Sequence, residues 1–260
     1  MLCRKMSTAR RVSREEGVGG MVRLLIRNVP PLHALVRRLF PRAWKEWSEL
    51  GFWKSRMRSG VGAGESYARM FTTHFGIEPD FYTDKRILDI GCGPQGSLEW
   101  ADMAADRVGL DPLAKDYLKL GADRQKMRYV AACSESVPFE DAHFDVVSMF
   151  NALDHVADLD VTISGIQRVL KPGGLFLLLT DVNHDATACE PQEFSWDVAR
   201  AFLPVFEILD ERHYEKRGGI YETVDMGVPY EHSDTPKRPG TLLVKYRKVQ
   251  GLSDGVNGGS

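Results

Sequence analysis

Short, almost continuously apolar runs alternate with amphipathic segments from residue 84 to residue 182. Five of these runs predict strands, at residues 86–90, 107–111, 127–132, 144–150 and 174–180. Strands that are apolar along their whole length are buried on both faces, which is typical of a parallel sheet covered by helices. The pattern therefore predicts a doubly wound α/β fold.

Segments between and after these strands complete the predicted architecture. Helices are expected over three of them, at residues 97–105, 113–121 and 159–170. Two later runs, 206–216 and 241–249, predict further strands that close the edge of the sheet. The expected sheet therefore has seven strands, most of them parallel.

The region before the first strand has a different composition. Residues 42–76 are rich in aromatic side chains at helical spacing, which predicts either a cap over a ligand cleft or a helical layer of the core. We expect residues 1–20 to be disordered, with Met21 as an alternative start. Four regions follow from this division: the disordered 1–20, a helical cap over 21–83, the main domain over 84–249 and a flexible tail over 250–260.

Charge is distributed unevenly along the chain. Residues 1–45 hold eleven Lys and Arg against two Glu, a surplus of nine, so the rest must carry about −11 to reach the net charge of −2. The apolar stretch at 21–40 is too short and too often interrupted by arginine and proline to span a membrane or serve as a signal peptide. A basic amphipathic helix there suits either an anionic membrane or the chain's own domain, and we favour the domain.

The four cysteines, Cys3, Cys92, Cys133 and Cys189, are scattered and form no C-x-x-C pair. This usage argues against a zinc site and for the reducing environment of the cytoplasm. Nothing in the sequence indicates an oligomeric state.

The stretch RILDIGCGPQGSLEW, residues 86–100, places a glycine loop directly after the first predicted strand. Gly91, Gly93 and Gly96 let the backbone approach a ligand closely, and folds of this class bind ligands beyond the carboxyl ends of their strands. Asp89 would repel a pyrophosphate but suits a cationic or amine-bearing ligand. Asp111 follows Gly91 by twenty residues, the spacing at which a carboxylate accepts hydrogen bonds from a ribose diol.

Further motifs accompany the loop in a fixed order: LDIGCGPQG, VGLDP, SESVPFEDAHFDVV, NALDHVAD and RVLKPGGLFLL. As a set, over residues 84–182, they resemble the class I S-adenosylmethionine-dependent methyltransferases, specifically the branch that acts on small molecules. The resemblance implies a Rossmann-like sheet with an N-terminal helical cap, S-adenosylmethionine as the cofactor and a small-molecule acceptor.

The same resemblance implies roles for individual residues. The glycine backbone would pass under the methionyl part of the cofactor, Asp89 would hold its ammonium group, and Asp111 would bind the ribose. The family places an aspartate where Cys133 stands, so the adenine amino group either lacks that acceptor or uses the Ser134 hydroxyl. The residues expected to bind the cofactor are Asp89, Gly91, Cys92, Gly93, Gly96, Asp111, Pro112, Cys133, Ser134, Glu135 and Asn151.

Two histidines are candidates for removing a proton from an oxygen or nitrogen acceptor, because histidine titrates near neutral pH. His184, on the segment after the fifth strand, is preferred, and His155 lies after the fourth strand. Purely structural roles explain both equally well. Asp185, Glu190 and Glu193 are close to His184 in sequence, but their spacing matches no metal-binding motif, so no metal is expected.

Other functions remain open at this point. Tyr214, Tyr221, Tyr230 and His232 are candidates for an acceptor pocket, although solvated strand and loop faces explain them as well. An NAD-linked oxidoreductase and a methyltransferase-like module that has lost catalysis are the alternatives. A nucleic-acid methyltransferase is disfavoured, because no Asn/Asp-Pro-Pro-Tyr-type motif follows the fourth strand.

Overall fold

The computed structural model describes residues 38–58, 64–233 and 238–250. The predictions for residues 1–20, for most of 21–40 and for the tail lie outside these ranges. Two compact units make up the chain, one ending at Gly51 and the other beginning at Phe52. Within the described ranges, no helix combines the length and the apolar character that crossing a bilayer requires.

The second unit is built on a single sheet whose strands match the predicted runs. The strands are β1 Arg86–Ile90, β2 Asp106–Leu110, β3 Arg128–Val130, β4 Phe144–Phe150, β5 Leu170–Val182, β6 Phe206–Glu215 and β7 Gly240–Lys248. Their order is β3-β2-β1-β4-β5-β7-β6, and the first five are mutually parallel. Strand β7 runs antiparallel to both of its neighbours, β5 and β6. Dinucleotide-binding sheets continue from their fifth strand to a sixth in the order 3-2-1-4-5-6, so the reversed strand inserted here sets this sheet apart.

Helices cover both faces of the sheet, as the doubly wound prediction requires. They are α1 Pro41–Arg58, α2 Gly64–Phe71, α3 Ala114–Lys119, α4 Leu159–Val169 and α5 Ile220–Met226. Successive strand residues point to opposite faces, so Leu88 packs in the core that α4 closes, while Ile87 packs in the core that α2 and α5 close. Helix α4 starts at Asp158, whose carboxylate accepts a hydrogen bond from the Val161 backbone N–H at 3.0 Å.

The prediction of a helix over residues 97–105 is wrong, because this segment forms consecutive turns. The Arg107 guanidinium donates a hydrogen bond to the carbonyl oxygen of Glu99 at 3.3 Å. The Glu99 carboxylate in turn accepts the backbone N–H of Met127 at 2.8 Å. Because both partners of Glu99 lie outside the segment, tertiary contacts override the local preference here.

Candidate cofactor and catalytic site

The glycine loop leaves β1 at the carboxyl edge of the sheet, and its close packing excludes side chains at two positions. Gly91 has φ +73°, and a Cβ atom there would lie 2.4 Å from the Ala152 Cβ. Gly93 has φ +57°, and its Cβ would lie 2.8 Å from the ring of Trp53. A side chain at either position would meet both backbone strain and a steric clash. Only glycine therefore fits at these two positions of the loop.

The carboxylate of Asp111, at the end of β2, holds this loop in place. Its Oδ2 accepts the Gly93 backbone N–H at 3.2 Å, and its Oδ1 accepts the Leu113 backbone N–H at 2.9 Å. The side chain is buried, with 7% of its surface exposed. Because a carboxylate offers about four lone-pair sites, a group in this position can fix the loop and accept ligand hydroxyls at once.

Asp89 lies inside β1, directly below the loop, and is 3% exposed. Its carboxylate accepts hydrogen bonds from the hydroxyls of Ser97, at 2.5 Å, and Ser148, at 2.7 Å. Burial raises the pKa of Asp89 to about 6, the two serine hydrogen bonds oppose this rise, and the charge of Asp111 adds to it. Two buried carboxylates that interact in this way make the site strongly negative, which favours a cationic ligand over a phosphate.

Side chains from α1, α2 and α5 surround the same carboxylate. The pKa of Tyr67 is raised well above its ordinary value, chiefly by burial and next by the charge of Asp89, so the phenol stays protonated. Tyr67 meets Tyr221 edge to face, with ring centroids 5.7 Å apart. Arg56 donates a hydrogen bond from Nε to Oε1 of Gln95, within the glycine loop, at 3.2 Å. An aromatic helical region was predicted here from the sequence, but a role for Arg56 was not.

Two predicted cofactor residues have their side chains engaged in holding α4. The Glu135 carboxylate accepts the backbone N–H groups of Ala157, at 2.7 Å, and Asp158, at 3.3 Å. Burial raises the pKa of Glu135, but these backbone hydrogen bonds outweigh burial and the net shift is downward. The Ser134 hydroxyl lies 3.1 Å from the hydroxyl of Thr162 in α4. A contact of either residue with adenine stays a prediction.

Four other predicted cofactor residues differ in exposure. Cys92 is buried and packs against β2, since a Cβ on Gly109 would lie 2.6 Å from its sulfur. Burial raises the pKa of this thiol well above its ordinary value, so it stays protonated and unreactive. Pro112 is exposed and Cys133 is half-buried. Asn151 follows β4 with φ +53° and an exposed side chain, beside the loop-facing Ala152.

The two candidate histidines meet around a residue that the sequence analysis missed, Asp154. This carboxylate is 2% exposed, and its Oδ2 lies 3.6 Å from Nε2 of His184. Nε2 of His155 lies 3.9 Å from Oδ1 of Asp154 and 3.9 Å from Oε1 of Glu190. The structure thus brings both histidines and Glu190 together at the carboxyl ends of β4 and β5. Adjacency to His155 was the only sequence signal for Asp154.

The residues proposed for an acceptor pocket fall into two groups of contacts. Tyr221 belongs to the site around Asp89. Tyr230 and His232 instead pack against Trp196, with ring centroids 4.7 and 5.4 Å from it. Nε2 of His232 lies 2.8 Å from Nδ1 of His213. These contacts therefore do not place Tyr221 in one pocket with Tyr230 and His232.

Comparisons with known proteins agree with this geometry. A family model described as a methyltransferase domain matches residues 88–178. Sterol 4-C-methyltransferase strm-1 of Caenorhabditis elegans is 37% identical over 113 residues, which cover 40% of this chain and 34% of that protein. The ubiquinone/menaquinone biosynthesis C-methyltransferase UbiE of Shewanella frigidimarina is 36% identical over 107 residues, which cover 36% of this chain and 41% of that protein. The chain thus spans about a third to two fifths of the length of these relatives.

Solved structures show the same fold. The N-methyltransferase NodS from Bradyrhizobium japonicum WM9 superimposes with a TM-score of 0.53 at 12% sequence identity, covering 72% of this chain and 96% of that one. At this identity the likeness concerns the fold alone. The fold, the glycine loop and the family match nevertheless agree, and they confirm the resemblance that the sequence motifs carry. Residues 88–178 thus match a methyltransferase domain, on a fold that a solved methyltransferase shares.

Proposed function

We propose that this chain transfers a methyl group from S-adenosylmethionine to a small-molecule acceptor. The observation that carries the proposal is the pair of buried carboxylates, Asp89 and Asp111, on either side of a loop in which Gly91 and Gly93 leave no room for a side chain. A sulfonium ligand with an ammonium group and a ribose diol matches both the charge and the acceptors of this site. A dinucleotide, which would bring a pyrophosphate to Asp89, does not.

Different residues of the site would bind different groups of this cofactor. Asp111 would accept the ribose hydroxyls and Asp89 would stabilise the ammonium group, directly or through water. Arg56, next to the loop, would pair with the cofactor's carboxylate. The bound cofactor supplies a methyl group already activated by a positively charged sulfur. The protein's main task is then to align the acceptor with that methyl group and to exclude water.

We also propose that the helical region before β1 caps this cleft. Two contacts support the proposal within the second unit: the Trp53 ring lies over Gly93, and Arg56 binds Gln95 of the loop. The main domain would then extend over residues 84–249, as the sequence pattern predicts. A cytoplasmic location stays a proposal, supported by the scattered positions of the four cysteines, which form no C-x-x-C pair.

The names of the two relatives, a sterol C-methyltransferase and a ubiquinone/menaquinone biosynthesis C-methyltransferase, support a small-molecule acceptor for this chain as well. An acceptor oxygen or nitrogen would lose its proton during the transfer. The cluster of His155, His184, Asp154 and Glu190 lies at the edge of the sheet where that acceptor would enter.

Asp111→Ala tests the cofactor part of the proposal. The variant is expected to bind S-adenosylmethionine about 1–3 kcal/mol more weakly, because the ribose loses a charged hydrogen-bond acceptor. Titration calorimetry measures the difference. Asp116→Ala is the matched control, since Asp116 lies on α3 in an exposed ion pair with Lys119. Equal affinities for Asp111→Ala and the wild type would contradict the assignment.

His184→Ala tests the catalytic part. Turnover of methyl-labelled cofactor with an active metabolite fraction is expected to fall about 100-fold, the scale of assisted proton transfer, while cofactor affinity stays the same. His143→Ala makes the same change just before β4, at the opposite edge of the sheet, and should leave turnover unchanged. Unchanged turnover in His184→Ala would restrict this residue to a structural role.

A further inference from the structure

Four side chains that could bind a metal come together from two segments that are distant in sequence. Asp154 and His155 follow β4, while His184 and Glu190 lie on the loop after β5. The donor atoms of Asp154, His155 and Glu190 all lie within 4.8 Å of one another. Nε2 of His184 approaches the same Asp154 carboxylate to 3.6 Å. No metal was predicted from the sequence, because the spacing of these residues along the chain matches no metal-binding motif and their two segments meet only in the fold.

Two buried atoms at the centre of this cluster have no hydrogen-bond partner: Oδ1 of Asp154 and Nε2 of His184. Buried polar atoms without a partner are rare, because leaving water without a new bond is costly. Each such atom in a native structure requires an explanation. Both atoms are therefore candidates for binding a ligand.

The hydrogen bond at Nδ1 of His184 indicates which kind of ligand its Nε2 would bind. Nδ1 lies 3.1 Å from the carbonyl oxygen of Asp185, which can only accept, so Nδ1 carries the proton. In the neutral ring Nε2 then presents a lone pair. This lone pair faces Oδ2 of Asp154 across 3.6 Å, so two electron-rich atoms oppose each other. A cation between them would bind both.

We propose that Asp154, His155, His184 and Glu190 bind one divalent transition-metal ion, such as Mn²⁺, Fe²⁺, Co²⁺ or Zn²⁺. The donor set consists of two imidazole nitrogens and two carboxylates, a mixture that suits these ions. Mg²⁺ and Ca²⁺ fit less well, because they prefer ligands made only of oxygen. The two carboxylates also match the charge of a dication.

Hydrogen bonds hold the second segment against the first. The Gln192 backbone N–H donates to the carbonyl oxygen of Asp154 at 3.2 Å, and its side-chain amide donates to the carbonyl oxygen of Val156 at 3.1 Å. The Glu190 backbone N–H donates to the Thr187 hydroxyl at 3.0 Å. These bonds place Glu190 next to His155. Hydrogen bonds that fix the position of a ligand residue lower the cost of binding.

The catalytic consequence rests on the proposed function. At the acceptor edge, the ion would bind the acceptor's oxygen or nitrogen and lower its pKa, so that the acceptor's proton would pass to solvent water without a base from the protein. The two histidines would then act as ligands. Metal binding itself is measured without any methyl transfer, so failure of this inference and failure of the proposed function give different results.

The test is a calorimetric titration of EDTA-treated full-length chain with Co²⁺ and Mn²⁺, accompanied by the visible absorption spectrum of the Co²⁺ form. We expect one ion per chain and the weak absorption of nitrogen and oxygen ligands. Asp154→Asn and Glu190→Gln should each lower the affinity by at least about tenfold. Glu190→Gln changes a half-buried loop residue and keeps its shape, so it remains informative if Asp154→Asn is poorly folded.

His232→Ala is the matched control, because it removes an imidazole from the other histidine cluster, where His213 and His232 already bond to each other. This variant should bind the metal as the wild type does. Three results would each overturn the site: absence of metal binding, full affinity in both carboxylate variants, or loss of binding in His232→Ala. An intense thiolate absorption in the Co²⁺ form would likewise overturn it, by assigning the ion to a cysteine. Cofactor binding, measured in the same samples, reports separately on the methyltransferase proposal.

Discussion

Asp89→Asn is expected to weaken S-adenosylmethionine binding by about 1.5–3 kcal/mol, because it removes the negative charge that faces the cofactor's ammonium group. The same substitution should leave the ligand-free chain at least as stable as the wild type at pH 8. Burial raises the pKa of Asp89 from 3.8 to about 6, so keeping this group ionised opposes folding by about 3 kcal/mol. Asparagine carries no such charge. Titration calorimetry and urea unfolding measure the two effects.

The pH dependence has a definite sign. A carboxyl group whose pKa is higher in the folded chain binds more protons when folded, so its ionisation lowers stability as pH rises. This destabilisation is absent below pH 3.8, develops up to about pH 6 and is complete above that value. Cofactor affinity should instead increase as pH rises, because only the ionised carboxylate of Asp89 attracts an ammonium group. Affinity in the wild type should therefore fall as pH drops below about 6, and Asp89→Asn should lack this dependence.

Asp106→Asn is the matched control for Asp89→Asn. Asp106 lies at the start of the neighbouring strand β2 in a partly exposed ion pair with Arg128 at 2.8 Å. Such pairs contribute little, so affinity and stability should both change by less than about 1 kcal/mol. If Asp89→Asn instead loses stability and affinity together, its carboxylate is chiefly a structural anchor for Ser97 and Ser148, and the account of the site is wrong.

Gly91→Ala is expected to destabilise the chain by about 2–5 kcal/mol and to abolish cofactor binding. One part of the cost, about 1–2 kcal/mol, comes from placing an L-residue at φ +73°. The other part, about 1–3 kcal/mol, comes from the clash with Ala152, whose Cβ would lie 2.4 Å away. Urea unfolding measures the sum.

Two further variants separate these parts. Gly76→Ala has a comparable φ of +58° but no atom within 4 Å of the new Cβ, so it should show only the backbone cost. Adding Ala152→Gly to Gly91→Ala removes the clashing methyl group and should recover the part of the stability that the clash costs. If Gly91→Ala and Gly76→Ala have equal effects, the loop does not pack as tightly against the end of β4 as described.

The strands could be predicted closely from sequence, because most of their residues are apolar and buried. The predicted run 86–90 coincides with β1, and the run 144–150 coincides with β4. The helix predicted over residues 97–105 was wrong because contacts outside the segment determine its structure. Its local pattern suits a helix, but partners such as Arg107 and Met127 lie outside the window in which the pattern is judged.

The candidate site was predictable where it follows a motif and not where it depends on long-range contacts. Asp89 and Asp111 have a fixed spacing to the glycine loop, and both are buried beside it. Arg56 reaches the loop from a helix that precedes β1 by many residues. Asp154 and Glu190 meet only because β4 and β5 end side by side. A local sequence pattern holds no information about such long-range contacts.

Titration calorimetry of the wild-type chain with S-adenosylmethionine, and separately with NAD⁺, tests the central claim most directly. The negative site around Asp89 and Asp111 predicts one S-adenosylmethionine bound per chain with micromolar affinity, and no measurable binding of NAD⁺. Binding of NAD⁺ in preference, or absence of S-adenosylmethionine binding to a folded chain, would contradict the account.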